Sequence, residues 1–171
     1  MPDNILITGV PGVGKTTLLA KACSALDECH PAGFYTAEIR EGRVRKGFEL
    51  VDFDGRRALL SHVRIESACR VGKYGIDVAG FEDFLDSIPF FRVETDLIII
   101  DEIGKMECFS SRFREIVQQA LDSETPVIAT IALRGRGMIA TAKERTDVNL
   151  FRITGGNRDS ILHEIIPTVK R

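Results

Sequence analysis

Gly9-Val10-Pro11-Gly12-Val13-Gly14-Lys15-Thr16 matches G-x-x-x-x-G-K-[ST] at every fixed position. Its flanks decide how it is read. Asn4-Ile5-Leu6-Ile7-Thr8 before it has the length and apolarity of a buried strand. After it, Leu18, Leu19, Ala22 and Leu26 recur with a helical period. Strand, glycine loop and helix form the unit that cradles a phosphate chain. Glycines at 9, 12 and 14 let backbone N–H groups come close to an anion, and Pro11 stiffens the loop. The loop ends on a helix N-terminus, whose free N–H groups and dipole favour negative charge. Lys15 is expected to reach the β- and γ-phosphates, and the Thr16 hydroxyl to take a position on Mg²⁺. Thr17 is a candidate for the α-phosphate. Gly9, Val10, Pro11, Gly12, Val13, Gly14, Lys15, Thr16 and Thr17 are thus the expected nucleotide-binding set.

A second landmark is Asp96-Leu97-Ile98-Ile99-Ile100-Asp101-Glu102. Four consecutive apolar residues suit a strand covered on both faces of a parallel sheet. Carboxylates at its C-terminal end fall where open α/β sheets bind ligands. Asp101 is read as the second Mg²⁺ group, acting through the ion's water shell. Strand alternation would turn Glu102 away from the magnesium, where it could polarise a water for in-line attack. The plainer reading of both is an acidic strand end that caps the next helix.

Between the landmarks, the pattern departs from simple βαβ packing. Cys29-His30-Pro31-Ala32-Gly33 breaks the first helix. Phe34 to Ile39, Val44 to Phe53 and the stretch near Ala58-Leu59-Leu60 read as strands, separated by Glu41-Gly42 and Asp54-Gly55 turns. This predicts an antiparallel meander on one side of the central sheet. Val71 to Asp77 is turn-rich, so Lys73 and Tyr74 are either binding groups on a loop or an ordinary surface turn. Phe81, Phe84, Leu85 and Ile88 have helical spacing and are read as core.

After Glu102, Gly104 to Glu107 reads as a loop over the site. Ser110 or Ser111 is placed to cap a helix whose buried stripe is Phe113, Ile116, Val117, Ala120 and Leu121. Pro126 to Ile131 is a further strand, with Thr130 near its end either sensing the γ-phosphate or packing as a β-branched residue. Arg134, Arg136, Arg145 and Lys105 are candidates for stabilising charge on a transferring phosphoryl group, and the sequence does not choose among them. Asn149 to Thr154 reads as the last strand. In the turn after it, Asn157 and Arg158 are candidates to contact the base, with helix capping the alternative role for Asn157.

The 171 residues and a net charge of −2 fit one α/β domain and give no strong signal for nucleic acid, though a local groove is compatible. No apolar run is long enough to span a bilayer. The chain opens almost directly on a strand, so a cytoplasmic protein without a leader is expected. The four cysteines form no C-x-x-C pair and, with three scattered histidines, give no zinc pattern.

Taken together, these stretches resemble the small thermophile-type nucleoside-triphosphatase family, which has a vertebrate cancer-related member. The resemblance rests on Gly9 to Thr16, Gly33-Phe34-Tyr35-Thr36 with Glu38-Ile39-Arg40, Gly47-Phe48, Val71 to Asp77, and Asp101 to Glu107. Cys108 stands where an apolar residue is expected. The resemblance implies a P-loop three-layer sandwich with a mostly parallel central sheet, of the additional-strand, catalytic-glutamate type. It implies Mg²⁺-dependent hydrolysis of ATP, GTP, CTP and UTP with weak base selectivity, and gives Glu102 the water-activating role. A small-molecule or nucleoside kinase and a nucleic-acid-coupled ATPase are the alternatives. A guanine-specific switch is disfavoured, because no [NT]-K-x-D element follows. A monomer is the expected state.

Overall fold

The computed structural model describes residues 4–170. In chain order the elements are β1 (Asn4–Thr8), α1 (Lys15–Ala25), β2 (Pro31–Glu41), β3 (Val44–Asp52), β4 (Arg57–His62), β5 (Arg70–Val71), β6 (Tyr74–Ile76), α2 (Val78–Asp86), β7 (Leu97–Ile103), α3 (Ser111–Asp122), β8 (Val127–Ile131), α4 (Met138–Lys143), β9 (Val148–Arg152) and α5 (Arg158–Val169). A short 3₁₀ turn, Glu107–Phe109, joins β7 to α3.

The nine strands form one sheet in the order β5-β6-β4-β3-β2-β7-β8-β1-β9. From β2 to β9 neighbouring strands run parallel. From β2 to β5 they run antiparallel. The meander read from the turn signals therefore extends the parallel sheet at one side.

Strand periodicity sorts the apolar residues into two cores. Leu6, Ile98, Ile100, Val127 and Ala129 face one side and pack with α2, α3 and α4. Ile5, Ile7, Leu97, Ile99 and Ile128 face the other and pack with α1 and α5. Successive residues of a strand point to opposite faces. An unbroken apolar run such as Leu97–Ile100 therefore needs helices on both sides, which gives three layers. The first core holds an aromatic cluster. Phe34 meets Phe81, Phe84 and Phe113 edge-on at ring separations of 5.9, 6.0 and 6.3 Å. Phe81, Phe84, Leu85 and Ile88 are all buried, as their spacing predicts.

Two departures have local causes. Pro31-Ala32-Gly33, read as a helix breaker, already belongs to β2 and pairs with Leu97, Ile98 and Ile99. Proline is tolerated as the first residue of a strand. Gly33 has φ +145°, and a Cβ there would lie 1.8 Å from the Ile99 carbonyl oxygen. Only glycine lets β2 come this close to β7. Tyr74, read as a loop residue, is buried in β6, and its ring packs on Phe48 at 5.7 Å. The sequence reading also lacks α4, whose two buried residues, Ile139 and Ala142, are too few to display a period.

Gly33→Ala is expected to destabilise the fold by about 3 kcal/mol, through overpacking and backbone strain together. The shift of the urea unfolding midpoint measures it.

Candidate functional site

The phosphate loop leaves β1 at its C-terminal end and enters α1 at Lys15. β8 and β9 flank β1 on either side. Gly14 is the helix N-cap in a left-handed conformation and makes no side-chain capping bond. The α1 N-terminus thus keeps amides that no side chain of its own cap satisfies, the arrangement that suits an incoming anion.

Three elements converge on Asp101, which is 1% exposed at the end of β7. The Thr130 hydroxyl, from β8, donates to Oδ1 at 2.6 Å. The Thr16 hydroxyl, from α1, donates to Oδ2 at 2.9 Å. The Thr36 amide and hydroxyl, from β2, lie 3.4 Å from Oδ2. Burial raises the Asp101 pKa, while the bonds from Thr130 and Thr16, the Thr36 amide and the Lys15 charge act against it. Thr130 therefore holds Asp101 rather than standing as a spare strand residue.

Glu102 does not follow simple alternation. Ile100 pairs with Ala129, yet Ile103 pairs with Ile131, so β7 carries one extra residue at this point. A bulge of this kind re-aims a side chain. Glu102 Oε2 comes 3.2 Å from Lys15 Nζ, which also donates to the Gly9 carbonyl oxygen at 3.1 Å. Glu102 thus turns into the phosphate-loop cleft, not away from the Asp101 side as alternation predicts.

A third carboxyl stands close by. Glu107 is 5% exposed, and its Oε2 is buried without a hydrogen-bond partner. An ideal Cβ on Gly104 would sit 2.7 Å from Glu102 Oε1 and 3.1 Å from Glu107 Oε2. The missing side chain at Gly104 thus makes room for both acids. Burial first, then the neighbouring Glu102 and Asp101 charges, push the Glu107 pKa well above the ordinary carboxylate range.

The cations separate by position. Lys105 and Arg134 line the cleft beside the phosphate loop. Arg145 does not: its guanidinium is held by Asp122 at 2.8 Å and Asp147 at 2.6 Å. It also bonds the Leu121 carbonyl, the same oxygen that accepts from Asn4 at the far end of β1. Arg136 is exposed in the turn before α4. Lys143, which no sequence signal marked, ties the end of α4 to the Leu133 carbonyl at 2.7 Å. Burial and, next, the Lys15 charge depress its pKa, so it stands near the same site.

In the turn after β9, both ends of the Asn157 amide are engaged. Oδ1 accepts from the Thr154 amide at 2.7 Å, and Nδ2 donates to the Arg152 carbonyl at 3.1 Å. Asn157 is the N-cap residue of α5 but makes no side-chain capping bond. Arg158 lies over the phosphate loop: its Nη1 is 2.6 Å from where a Cβ on Gly14 would stand. Val10, Pro11, Gly12 and Thr17 line the cleft. Val13 and Gly9 pack together at the loop base.

No cluster of three or more His, Cys, Asp or Glu residues able to hold a metal occurs among the described residues. The paired oxygens of Thr16 and Asp101 are instead a hard donor set of the type Mg²⁺ takes. That ion usually binds through one or two protein oxygens, waters and substrate phosphates.

The doubly covered parallel sheet, the glycine loop entering α1 and the acidic end of β7 define an α/β nucleotide-binding protein of the P-loop class. A family model described as NTPase matches residues 4–166, and the chain belongs to that family. The nucleoside-triphosphatase THEP1 of Thermotoga maritima is 44% identical over 167 residues, covering 97% of this chain and 95% of that protein. The human cancer-related nucleoside-triphosphatase is 37% identical over 189 residues, covering 99% and 98%. The crystal structure of THEP1 from Aquifex aeolicus superposes with a TM-score of 0.85 at 35% identity, covering 98% of this chain and 99% of that one. No helix among the described residues is long and apolar enough to cross a membrane.

Two variants test this geometry. Arg145→Ala is expected to cost about 1 kcal/mol of stability without weakening nucleotide binding, as read by urea unfolding and nucleotide titration. For Glu107→Gln the sign follows from the raised pKa. Below the unfolded carboxyl's pKa of about 4.3 both states hold the proton. Above it, the unfolded chain releases the proton while the folded chain retains it, so wild-type stability falls with rising pH by up to about 1.4 kcal/mol per unit. Glutamine does not titrate. The stability of Glu107→Gln relative to wild type should therefore rise between pH 4.5 and pH 7, compared by urea unfolding at the two values.

Proposed function

We propose that the protein hydrolyses nucleoside triphosphates, among them ATP, GTP, CTP and UTP, to the diphosphate and phosphate in a Mg²⁺-dependent reaction. The observation that carries this reading is Glu102 Oε2 standing 3.2 Å from Lys15 Nζ, beside the Thr16–Asp101 contact of 2.9 Å. A candidate base, a candidate phosphate-binding cation and two magnesium-type oxygens thus share one end of the cleft.

The roles follow from the chemistry. The amides of Gly9 to Thr16 and the Lys15 ammonium hold the phosphate chain, with Thr17 toward its α end. Thr16 and Asp101 would hold Mg²⁺, which supplies neutralising charge for the β- and γ-phosphates when bound. Thr130 and Thr36 keep the Asp101 carboxyl oriented through their bonds to it. Glu102 orients a water toward the γ-phosphorus and accepts its proton. Lys105 and Arg134, both lining the cleft, are placed to meet charge on the leaving and transferring oxygens. Catalysis of this kind rests on positioning and electrostatics, without a covalent intermediate.

Weak base selectivity has a physical basis in the same turn that was expected to read the base. Asn157 spends both amide atoms on its own turn, and Arg158 lies against Gly14 of the phosphate loop. Asn157 therefore offers no free hydrogen-bonding pair that would tell one base edge from another.

Glu102→Gln is expected to lower phosphate release from all four triphosphates by about 10²–10⁴-fold while nucleotide binding persists. Parallel phosphate-release and nucleotide-titration assays with Mg²⁺ measure the two quantities. Equal loss of binding and turnover would remove Glu102 from the chemical step.

A further inference from the structure

One loop carries a cation into the cleft and is held from two sides. β8 ends at Ile131, which pairs with Ile103 of β7. The next three residues, Ala132, Leu133 and Arg134, all line the cleft, as Glu102 does. The Ala132 amide donates to the Ile103 carbonyl at 3.1 Å. That bond ties the start of the loop to the residue that follows Glu102, at the place where β7 carries its extra residue.

The other side of the loop is held by α4. Lys143 Nζ donates to the Leu133 carbonyl at 2.7 Å, across ten residues of chain. α4 has six residues, too few to be stable as an isolated helix. It is anchored instead by its buried residues, Ile139 and Ala142. Ile139 also reaches the loop. An ideal Cβ on Gly135 would lie 2.5 Å from Ile139 Cδ1, so the bare glycine lets Ile139 pack against the chain immediately after Arg134. Arg134 thus stands between two fixed neighbours, Leu133 on one side and Gly135 on the other.

The choice of a lysine for this bond is unusual. A lysine drawn out of water normally has a carboxylate beside it. Lys143 is half-buried, and its surroundings disfavour its charge: burial first and the Lys15 ammonium next lower its pKa, with Glu102 acting the other way. An apolar residue at the end of α4 would avoid that cost and would leave the Leu133 carbonyl unheld.

We infer that Lys143 is a positioning residue for phosphoryl transfer, which fixes Arg134 at the γ end of the cleft by holding the Leu133 carbonyl. The Ala132–Ile103 and Lys143–Leu133 bonds form one strip that runs from the neighbour of Glu102 to α4. The water-orienting carboxylate and the charge-meeting guanidinium are therefore set on a common frame. Such placement matters, because a shift of about 1 Å at the reacting atoms can slow a reaction on the order of 10²-fold. The strut also singles out Arg134 among the cations that the sequence left unranked. This inference rests on the reading of the cleft as the site of triphosphate hydrolysis.

The test measures kcat and KM for Mg²⁺-dependent ATP hydrolysis by the full chain and four variants: Arg134→Ala, Lys143→Met, Lys143→Arg, and Arg134→Ala combined with Lys143→Met. Arg134→Ala is expected to lower kcat by about 10²–10³-fold. Lys143→Met is expected to lower kcat about tenfold, to change KM by less than about twofold, and to add almost nothing once Arg134 is gone. Lys143→Arg keeps a donor for the Leu133 carbonyl and should restore most of the rate. A lysine that merely stabilises the fold would give losses that multiply in the double variant. Multiplying losses, a loss confined to KM, or an unchanged kcat in Lys143→Met each overturn the positioning role. Undiminished turnover in Arg134→Ala overturns the inference and leaves hydrolysis standing, whereas no phosphate release by the wild type overturns the hydrolytic reading as well. Should urea unfolding show that Lys143→Met does not fold, Gly135→Ala disturbs the same loop from the other side of Arg134 and is compared with Arg134→Ala in the same way.

Discussion

A carboxyl taken out of water at the end of a central strand must have its oxygens hydrogen-bonded, or the structure around it is penalised heavily. Asp101 meets that demand with groups from β8, α1 and β2. Each bond fixes an element as well as a charge. Thr16 sets α1 against the sheet, Thr130 sets β8 against β7, and Thr36 sets the first strand of the meander. The phosphate loop, which lies between β1 and Thr16, has its two ends held by the same packing. The site is therefore a junction of the fold, and Asp101 is the piece that three neighbours grip.

The two-faced sheet makes such a junction possible. The alternating apolar residues of β1, β7 and β8 feed separate cores above and below. Those strands are consequently buried along their length, and functional side chains emerge only where the strands end. The antiparallel meander adds something the parallel part cannot. It carries polar and aromatic groups outward from β2 in steps, so that the cleft gains a second wall formed by Glu38, Arg45 and Phe48. Gly33 is what allows β2 to serve both halves, because it pairs tightly with β7 on one side while the strand continues into the meander on the other.

Much of this was legible in the residues, and the parts that were not share a cause. The phosphate loop, the apolar run before Asp101 and the aromatic stripe of α2 carry their geometry in local spacing. Ser110 was one of two candidate caps, and its Oγ does accept from the Phe113 amide at 2.9 Å. By contrast, the direction of Glu102 depends on one extra residue in β7 relative to β8, a property of two strands that neither displays alone. Arg134, Arg136 and Arg145 look alike in sequence, and only the pairing of Arg145 with Asp122 and Asp147 separates it from the cleft. Lys143 escaped notice because nothing near it in the chain is unusual, and in sequence Glu107 reads only as part of a loop over the site. Their significance comes from Lys15 and Glu102, brought beside them by folding.

The contact between Lys15 and Glu102 couples binding to chemistry under the proposed reaction. A phosphate oxygen that takes the lysine ammonium competes for it with the glutamate carboxylate, and the carboxylate so displaced is the group that serves water. Loading and arming become one exchange.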